Sequence, residues 1–390
     1  MSMPSGLLGD VRVLDLSRVL AAPYATMALG DLGADVIKVE RAPDGDETRQ
    51  WGPPFVEGES TYFLGINRNK RSIALDLGSP HDQQIVRDLA VNWADVLVEN
   101  FRPGTMERWG LGLAGLRERN MRLITATMRG YPPGDDRPGY DFVIQAGAGL
   151  MSITGPPEGP PYKVGVAVAD ITAGLFLVSA IVAALYRRER SGRGEHIFVS
   201  LWESQLAQLA TVVQGYLSTG QEPRRWGNAH AQLSPYQTYP TKDGWIAVGV
   251  GNDRQFQALC EALDNAVRAD DPRFATNPDR VVHRDDLEQR LNRVFATAKT
   301  EVWVQRLESR GVPVAPVRTV PEALSHGGAR GHRLIESVFH QRLGELEQLR
   351  LPWHFEDNPT AIRRPPPTLD EHRLEILNLV QRIRAGRKDD

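Results

Sequence analysis

The stretch from residue 11 to residue 40, VRVLDLSRVLAAPYATMALGDLGADVIKVE, decides the fold class of this chain. Its two apolar ends, residues 11–16 and 36–40, have the composition of β-strands. The apolar pattern between them predicts a helix over residues 22–32, with Pro23 in its first turn and Gly33 after its end. A strand, a helix and a second strand at this spacing predict a β-α-β unit and therefore a parallel sheet.

The same alternation continues along the chain. Further strands are predicted over residues 72–77, 95–99, 122–128 and 196–201, and further helices over 81–93, 113–120, 141–151, 171–188 and 202–217. This order predicts an α/β fold with a Rossmann-like, doubly wound parallel sheet. Residues 1–220 are therefore expected to form the N-terminal part of a large domain.

The pattern changes after a polar segment at residues 219–225. A strand over residues 245–250 and helices over 252–263, 285–297 and 300–311 predict a smaller α+β domain spanning residues 225–320. The remaining segment, residues 321–390, contains strand-like stretches at 336–340 and 349–353 and a helix over 369–383. Composition alone leaves open whether this segment returns to the large domain or stands by itself.

Composition argues against several classes of protein. The 390 residues include 46 Lys and Arg against 49 Asp and Glu, a formal net charge of -3 without basic clusters, so no nucleic-acid partner is expected. The single cysteine, Cys260, rules out an intrachain disulfide and lies in an apolar helical pattern typical of a core. No signal-peptide pattern is present, and the apolar stretch at residues 174–186 is shorter than the roughly 20 residues that cross a bilayer. We expect a cytoplasmic protein without a membrane partner.

The motifs of common cofactor and metal sites are missing from the sequence. The turn after the first strand lacks the glycines of a dinucleotide site, and no Walker A loop occurs. The nine histidines are dispersed without metal-ligand spacing, so no metal is expected. The Gly-x-Ser-x-Gly elbow of hydrolases is also absent.

Asp170 follows the apolar run VGVAVA and precedes a long apolar helical pattern. A carboxylate at this junction faces the positive end of the helix macrodipole, which favours its charged form. An ionised carboxylate can act as a nucleophile. The alternative is that Asp170 is only an N-cap, and this segment by itself favours the N-cap.

Three other segments have a polar or glycine-rich character. Residues 98–104, VENFRPG, close a strand of the predicted sheet, where ligands of open α/β sheets bind. Residues 67–71, NRNKR, form a basic stretch, and residues 249–253, GVGND, form a glycine loop between a strand and a helix. Taken singly, they are best interpreted as a strand-end turn, a solvated charged loop and a helix cap.

Together with residues 14–23, 33–40, 69–73 and 137–141, these segments resemble the class III CoA-transferases, the family of formyl-CoA and carnitine CoA-transferases. The resemblance covers nearly the whole chain and places Asp170 at the position of the family's catalytic aspartate. It implies a large Rossmann-like domain formed by both chain ends, a smaller domain between them, and an interlocked homodimer. Residues 45–55, 225–230 and 234–237 resemble the branch of the family that uses succinyl-CoA and dicarboxylic acids.

The resemblance also implies site residues. CoA would be a substrate, with no tightly bound cofactor, and its contacts would come from Val19, Leu20, Ala21, Arg41, Asn100, Phe101, Arg108 and Arg137. Arginine suits such a site because CoA carries phosphates that a guanidinium binds bidentately. The active-site pocket would contain Trp51, Tyr62, Tyr140 and Asp141, with Gly249 and Gly251 in a loop that closes over the intermediate.

By the same analogy Asp170 attacks an acyl-CoA thioester and then carries CoA as an aspartyl thioester, in steps that need an oxyanion stabiliser. The candidates are N–H groups near Asp170 and the Gly249–Gly251 loop. The expected substrates are succinyl-CoA and a C4–C6 dicarboxylate, whose second carboxylate would pair with Arg18, Arg49 or Arg71. Residues 127–131 depart from the family pattern, and Arg129 adds a cation near the CoA channel.

Two alternative functions are also compatible with the sequence. An α-methylacyl-CoA racemase also keeps the aspartate but needs a histidine where this chain has Tyr140, and a tyrosine with a reference pKa of about 10 is a poor base at neutral pH. A non-catalytic CoA-binding protein would keep Arg41, Asn100 and Arg108 but would not need Asp170.

Overall fold

The computed structural model describes residues 6–325, 329, 332 and 334–386. The chain forms two compact units. The first comprises Met1–Leu150, Val164–Thr219 and Arg330–Asp390, and the second comprises Met151–Lys163 and Gly220–Ala329. The predicted boundaries differ, because residues 151–163 and 321–325 belong to the second unit. Hydrogen bonds from Arg225 Nε to Pro156 O (2.9 Å) and from Gly227 N to Gly155 O (3.1 Å) attach the early segment to the second unit.

Six parallel strands form the sheet of the first unit, in the order β3-β2-β1-β4-β5-β6. This arrangement confirms the predicted parallel α/β sheet. The order reverses between β1 and β4, which makes the carboxyl ends of these two strands the switch point where open α/β sheets bind ligands. The strands are β1 Arg12–Asp15, β2 Asp35–Arg41, β3 Lys70–Leu75, β4 Val96–Glu99, β5 Ile124–Arg129 and β6 His196–Ser200.

Ten helices of residues 21–219 connect or follow these strands. They are α1 Ala21–Asp31, α2 Thr61–Ile66, α3 Pro80–Asn92, α4 Thr105–Arg108, α5 Leu113–Arg119, α6 Asp141–Gly147, α7 Leu150–Ile153, α8 Val168–Ser191, α9 Leu201–Gln208 and α10 Ala210–Thr219. A short 3-10 helix, Glu47–Gln50, and a hairpin of Phe55–Val56 with Glu59–Ser60 lie between β2 and α2.

Both faces of the sheet are covered by helices. Successive strand residues point to opposite faces, so neighbouring residues of one strand belong to different apolar clusters. Val13 and Val36 belong to one apolar cluster with residues of α1 and α8. Their neighbours Leu14 and Ile37 belong to a second cluster with residues of α3 and α5. Both faces of the strands are therefore buried, as expected of a parallel sheet.

The second unit has its own core around a three-stranded antiparallel sheet, formed by β7 Tyr236–Pro240, β8 Trp245–Gly249 and β9 Val314–Pro316. Cys260 is buried in this core, as its apolar pattern predicts, and burial raises the pKa of its thiol to about 12. Its helices are α11 Asp253–Ala262, α12 Asn277–Val282, α13 Arg284–Phe295, α14 Thr300–Glu308 and α15 Val320–Ser325.

The C-terminal segment contains a hairpin and a final helix: β10 Ile335–His340, β11 Gly344–Leu349 and α16 Arg373–Arg384. The segment before α16 is hydrogen-bonded to β3 and the residue preceding it. Asn69 Oδ1 accepts from the backbone N–H groups of Arg363 (2.7 Å) and Arg364 (3.0 Å), and the N–H of His372 donates to Ser72 O (3.0 Å). The tail thus completes the first unit.

Helix α8 is longer than the sequence pattern predicted. It begins at Val168 with Ala167 as its N-cap, so Asp170 is the third residue of the helix and the N-cap interpretation is wrong. Its 24 residues are long and apolar enough to span a bilayer by length and composition alone. One face of the helix, including Ala173, Leu177 and Ile181, is nevertheless buried in the core of the first unit.

Several other sequence predictions need correction. The helices predicted over 141–151 and 202–217 are each divided in two, at Gly149 (φ 87°) and at Ala210 (φ 37°), where the backbone turns left-handed. Residues 350–353 are not a strand, and the last helix starts four residues later than predicted. The basic stretch at 67–71 is buried rather than solvated.

Candidate active site

A cleft of about 840 Å³ opens at the switch point of the sheet. Its walls include the segments that follow β1 and β4, and Asn100 joins these segments. The Asn100 Oδ1 accepts from the backbone N–H of Arg18 (2.9 Å), and its Nδ2 donates to Arg18 O (2.7 Å). Asn100 therefore fixes the distance between the two strand ends from which the cleft is built.

Most of the predicted site residues of the first unit lie in or beside this cleft. The predicted residues that line it are Val19, Leu20, Ala21, Asn100, Phe101, Arg137, Tyr140 and Asp170. Two predicted CoA contacts, Arg41 and Arg108, do not line the cleft. Arg41 is exposed and pairs with Asp44 (3.2 Å), and Arg108 is exposed with its Nη2 donating to Thr105 Oγ1 (2.9 Å). Their roles in CoA binding stay predictions.

Gly249 and Gly251 belong to the second unit. Gly249 is the last residue of β8, and the Gly251 N–H donates to Gln255 Oε1 in the first turn of α11 (2.8 Å). The lid role of this loop stays a prediction.

Asp170 is half-buried in the cleft wall, in the first turn of α8. Burial, together with the negative charge of Asp141, raises its pKa to about 7. This is the opposite of the expected direction, because the helix dipole is outweighed by desolvation and by a second carboxylate. Among the residues that the structure describes, none pairs with the Asp170 carboxylate through a hydrogen bond or a salt bridge.

Asp141, the first residue of α6, holds the start of α8 in place. Its Oδ1 accepts from the Ala169 N–H (2.8 Å) and its Oδ2 accepts from Gln145 Nε2 (2.7 Å). Because the N-cap residue Ala167 has no side-chain acceptor, Asp141 takes over the capping role from another helix. The structure thus places this acid next to the predicted nucleophile.

Tyr62 and Trp51 form an aromatic pair with ring centroids 5.0 Å apart in an edge-to-face arrangement. Tyr62 also packs against a small apolar cluster that contains Leu20, while Ala167 contributes from the residue before α8. Burial and the negative charge of Asp170 raise the pKa of Tyr62 to about 12. The tyrosine is therefore a neutral hydroxyl at physiological pH.

A set of charges that are buried, or nearly so in the case of Arg49, lies under the turn that follows β1 and was not predicted from the sequence. We call Asp15, Lys38, Glu40, Asp46, Arg49 and Lys70 the buried ion cluster. Lys38 Nζ lies 2.9 Å from Asp46 Oδ2 and donates to Ser17 O (2.8 Å). Lys70 Nζ lies 3.0 Å from Asp15 Oδ2.

A sequence signal for this cluster existed. Lys38 and Glu40 lie in a strand of a parallel sheet, and such strands are buried on both faces, so charges within them must be paired. Burial lowers the pKa of Lys70 to about 8. Although burial alone would raise the pKa of Asp15, Lys70 and Lys38 hold it below its usual value. Lys70 and Asp15 are therefore both charged at neutral pH.

Ion pairs inside and outside this cluster also decide which arginines are available to a ligand. Arg49 Nε and Nη2 each donate to the Glu40 carboxylate at 2.7 Å, and Arg71 is paired with Asp35 and Glu375. Neither lines the cleft, so the expectation that they meet a substrate carboxylate is not supported. Arg18 does line it, and so does Arg129.

Arg129 ends β5 and is held from behind by Glu99, whose two oxygens lie 3.1 and 3.2 Å from Arg129 Nη1. The next residue, Gly130, approaches Gly139 so closely that a Cβ on Gly130 would lie 2.6 Å from Gly139 Cα. This contact brings the end of β5 next to the segment that enters α6. The cation predicted near the channel therefore lies in the same cleft as Asp170.

No cluster of His, Cys, Asp or Glu suited to a metal ion occurs in the described part of the chain. A parallel sheet of this strand order, with a ligand-sized cleft at its switch point, defines a doubly wound α/β fold, and the carboxylate at a helix start in that cleft is a candidate catalytic group. The family model for CoA-transferase family III matches residues 8–373. The chain belongs to this family, and it is an enzyme that transfers CoA.

Relatives with established names agree with this assignment. The chain is 41% identical over 382 residues to succinyl-CoA:glutarate CoA-transferase of Mus musculus, covering 97% of this chain and 87% of the relative. It is 41% identical over 390 residues to succinate–glutarate CoA-transferase of Agrobacterium fabrum, covering 96% of both chains. A crystal structure of a CAIB/BAIF family protein from Brucella suis has a TM-score of 0.86 and 38% identity, covering 96% of this chain and 100% of that one.

Proposed function

We propose that the enzyme moves CoA from succinyl-CoA to a C4–C6 dicarboxylate through a covalent thioester on Asp170. The observation that carries this proposal is the half-buried Asp170 carboxylate, which lines the cleft without a cationic partner among the described residues. A structural carboxylate in this position would be paired, whereas a nucleophile must keep its oxygens available. The named relatives support succinyl-CoA and a dicarboxylate as the substrates.

The reaction proceeds through two anhydrides. An Asp170 oxygen attacks the thioester carbonyl, the C–S bond breaks, and CoA thiolate leaves a succinyl-aspartyl anhydride. The thiolate attacks the aspartyl carbonyl, which releases succinate and leaves an aspartyl-CoA thioester. The acceptor carboxylate then displaces the thiolate to form a second anhydride, and the thiolate attacks the acceptor's acyl carbon, which frees Asp170.

The start of α8 supplies a donor for the negative oxygen that develops in each step. The Val168 N–H donates to Val166 O (2.9 Å), and the Ala169 N–H donates to Asp141. The Asp170 N–H has no acceptor among the described residues, so it is the proposed oxyanion donor, and the helix dipole reinforces it. The Gly249–Gly251 loop stays the second proposed source of donors.

Arg18 and Arg129 are the proposed partners of the anionic ends of the substrates. Both line the cleft, and the hydrogen bonds of Arg129 use only Nη1 within the described residues, which leaves Nε and Nη2 for a bidentate contact with a carboxylate or phosphate. Incubation with succinyl-CoA and a panel of acids tests the substrate class. Transfer to glutarate and its C4–C6 homologues is expected, and transfer to monocarboxylates alone would contradict it.

Hydroxylamine trapping tests the covalent step. The enzyme is mixed with succinyl-CoA and hydroxylamine and digested, and its peptides are analysed by mass spectrometry. A hydroxamate on Asp170 is expected, and an Asp136→Ala control, which removes an exposed carboxylate of the same cleft, should be labelled at Asp170 to the same extent. An unlabelled Asp170 in an enzyme that still transfers CoA would overturn the mechanism.

The racemase alternative has its own readout. It requires exchange of the α-proton of a branched acyl-CoA with solvent, and Tyr140 lies in the cleft where a second base would be needed. We expect no deuterium incorporation at that carbon under conditions where CoA transfer is fast.

We also infer that the enzyme is a homodimer whose subunits interlock. Helix α8 has an exposed apolar face on the side opposite its core contacts, formed by Leu175, Phe176, Val182 and Tyr186. Such a face, which extends over about three turns of the helix and is interrupted by Ser179, is typical of an interface. A single dimeric mass in light scattering is expected, and Phe176→Glu should produce monomer. A cytoplasmic location stays a prediction from composition.

A further inference from the structure

Val19 has a backbone conformation that its side chain opposes. Its φ angle is 70°, in the left-handed region where β-branched residues are rare. The residue lines the cleft, and so do the next two residues, Leu20 and Ala21, which lead into α1. The direction in which this wall leaves β1 is therefore set by a strained residue, and strain of this kind persists only where the surroundings over-determine it.

The restraints on Val19 come from both sides. On one side Asn100 holds both backbone polar groups of Arg18. On the other side Asp46 Oδ1 accepts from the Val19 N–H at 3.4 Å, and Lys38 Nζ donates to Ser17 O at 2.8 Å. Asp46 and Lys38 are themselves joined by a 2.9 Å ion pair with both side chains about 1% exposed.

Asp46 is fixed independently of Val19. Its Oδ1 also accepts from the backbone N–H (3.0 Å) and the Oγ1 (2.8 Å) of Thr48, and its own N–H donates to Glu40 Oε2 (3.0 Å). The long bond to Val19 is therefore made by a group that cannot follow the loop if it relaxes. A buried pair held this firmly restrains backbone, whereas an apolar pair would only fill space.

We propose that Lys38 and Asp46 are positioning residues that hold Val19 in its left-handed conformation, so that Val19, Leu20 and Ala21 present a preformed wall to the acyl-CoA substrate. The inference rests on the proposed function of the cleft. It assigns to the Lys38–Asp46 pair a role in substrate affinity, although neither residue lines the cleft.

A rescue experiment tests this role. Lys38→Met removes the ion pair and the bond to Ser17 O, and should raise the KM for succinyl-CoA by about tenfold while kcat changes by less than about threefold. Adding Val19→Gly should restore the KM to within about threefold of that of Val19→Gly alone, because glycine adopts positive φ without strain. In the double variant, glycine adopts the positive φ by itself, so the Lys38–Asp46 pair is no longer needed to hold residue 19 in that conformation.

Arg68→Met is the matched control. Arg68 is equally buried and pairs with Asp31 at 2.7 Å in the same unit, but within the described residues it makes no hydrogen bond or ion pair to residues 17–21. Its loss should lower stability without raising the KM, and Val19→Gly should not improve that variant. Where Lys38→Met fails to fold, the nearly isosteric Asp46→Asn gives the same comparison.

Two outcomes would overturn the proposal. One is an unchanged KM in the Lys38 or Asp46 variant, and the other is a double variant whose KM stays more than about threefold above that of Val19→Gly alone. Failure of the proposed function appears elsewhere, as the absence of CoA transfer or of Asp170 labelling in the unmodified enzyme, so the two failures are distinguishable.

Discussion

The buried ion cluster and the start of α8 treat their carboxylates in opposite ways. Under the β1 turn, Asp15, Glu40 and Asp46 are almost completely buried, and each has a lysine or arginine within 3.0 Å. At the start of α8, Asp170 is only half-buried, and the charge that acts on it is another carboxylate. The paired cations hold the pKa values of Asp15, Glu40 and Asp46 below their usual range, whereas burial and Asp141 raise the pKa of Asp170 to about 7.

The difference shows how one domain separates framework from chemistry. Paired buried charges resist any change of position or protonation, because breaking one pair leaves an uncompensated ion. An unpaired carboxylate near neutrality can gain and lose both a proton and a covalent bond. The strained turn at Val19 is held by the paired charges, whereas Asp170 is the unpaired carboxylate proposed to react.

The largest effect is expected from breaking a pair of the buried ion cluster. Lys70→Met leaves Asp15 charged and buried, and should lower the free energy of unfolding by about 3–5 kcal/mol in chemical denaturation. The control is Arg187→Met, which breaks the exposed pair with Glu195 and should cost less than about 1 kcal/mol. Equal losses in the two variants would show that burial does not distinguish them.

A smaller and opposite effect is expected at Asp170. Its pKa is raised in the fold, so the native state holds a proton that the unfolded chain releases, and the stability this proton gives is full below about pH 4 and lost as the pH rises through about 7. Asp170→Asn should therefore stabilise the protein by about 2 kcal/mol at pH 8, after a discount for partial exposure, and by almost nothing at pH 4. Thermal unfolding across this range measures the difference. The matched control is Asp136→Asn, which removes an exposed carboxylate of the same cleft.

The smallest effect is expected from Asp141. Because only ionised Asp170 attacks the thioester, kcat/KM for succinyl-CoA should fall as the pH drops below about 7. Asp141→Asn removes the repulsive charge yet keeps an oxygen for the Ala169 N–H, and should move this acid limb down by roughly one pH unit. An acid limb that stays in place would show that burial alone sets the pKa of Asp170.

Local pattern predicted much of the sheet. Residues 11–40 contain the β-α-β unit in nearly the predicted positions, because apolar runs of this length in a parallel sheet are buried on both faces and leave a clear signal. The helix divided at Ala210 was missed, since a positive φ at alanine results from its surroundings and has no signature of its own.

The position of several candidate site residues could be predicted from the sequence, whereas their electrostatics could not. The resemblance assigned Asp170 to catalysis, Tyr140 to the active-site pocket and Asn100 to the CoA site, and all three line the cleft of the structure. The raised pKa of Asp170 could not be predicted from its own segment, because its causes are burial and a carboxylate 29 residues earlier in the chain. Arg49 and Arg71 were considered as partners of the substrate because their actual partners, Glu40 and Asp35, lie in other segments of the chain. Pairs between distant segments leave no pattern in the sequence.

The attachment of residues 363–372 to Asn69 and β3 affects how the protein is made. Asn69 and Ser72 are synthesised early, but the groups they bind lie about 300 residues later. The core of the second unit draws on residues 239–312, all of which have been synthesised before that tail. On the ribosome, we expect the second unit to fold while β3 still awaits its covering segment, so the first unit stays incomplete until residues 363–372 have been synthesised.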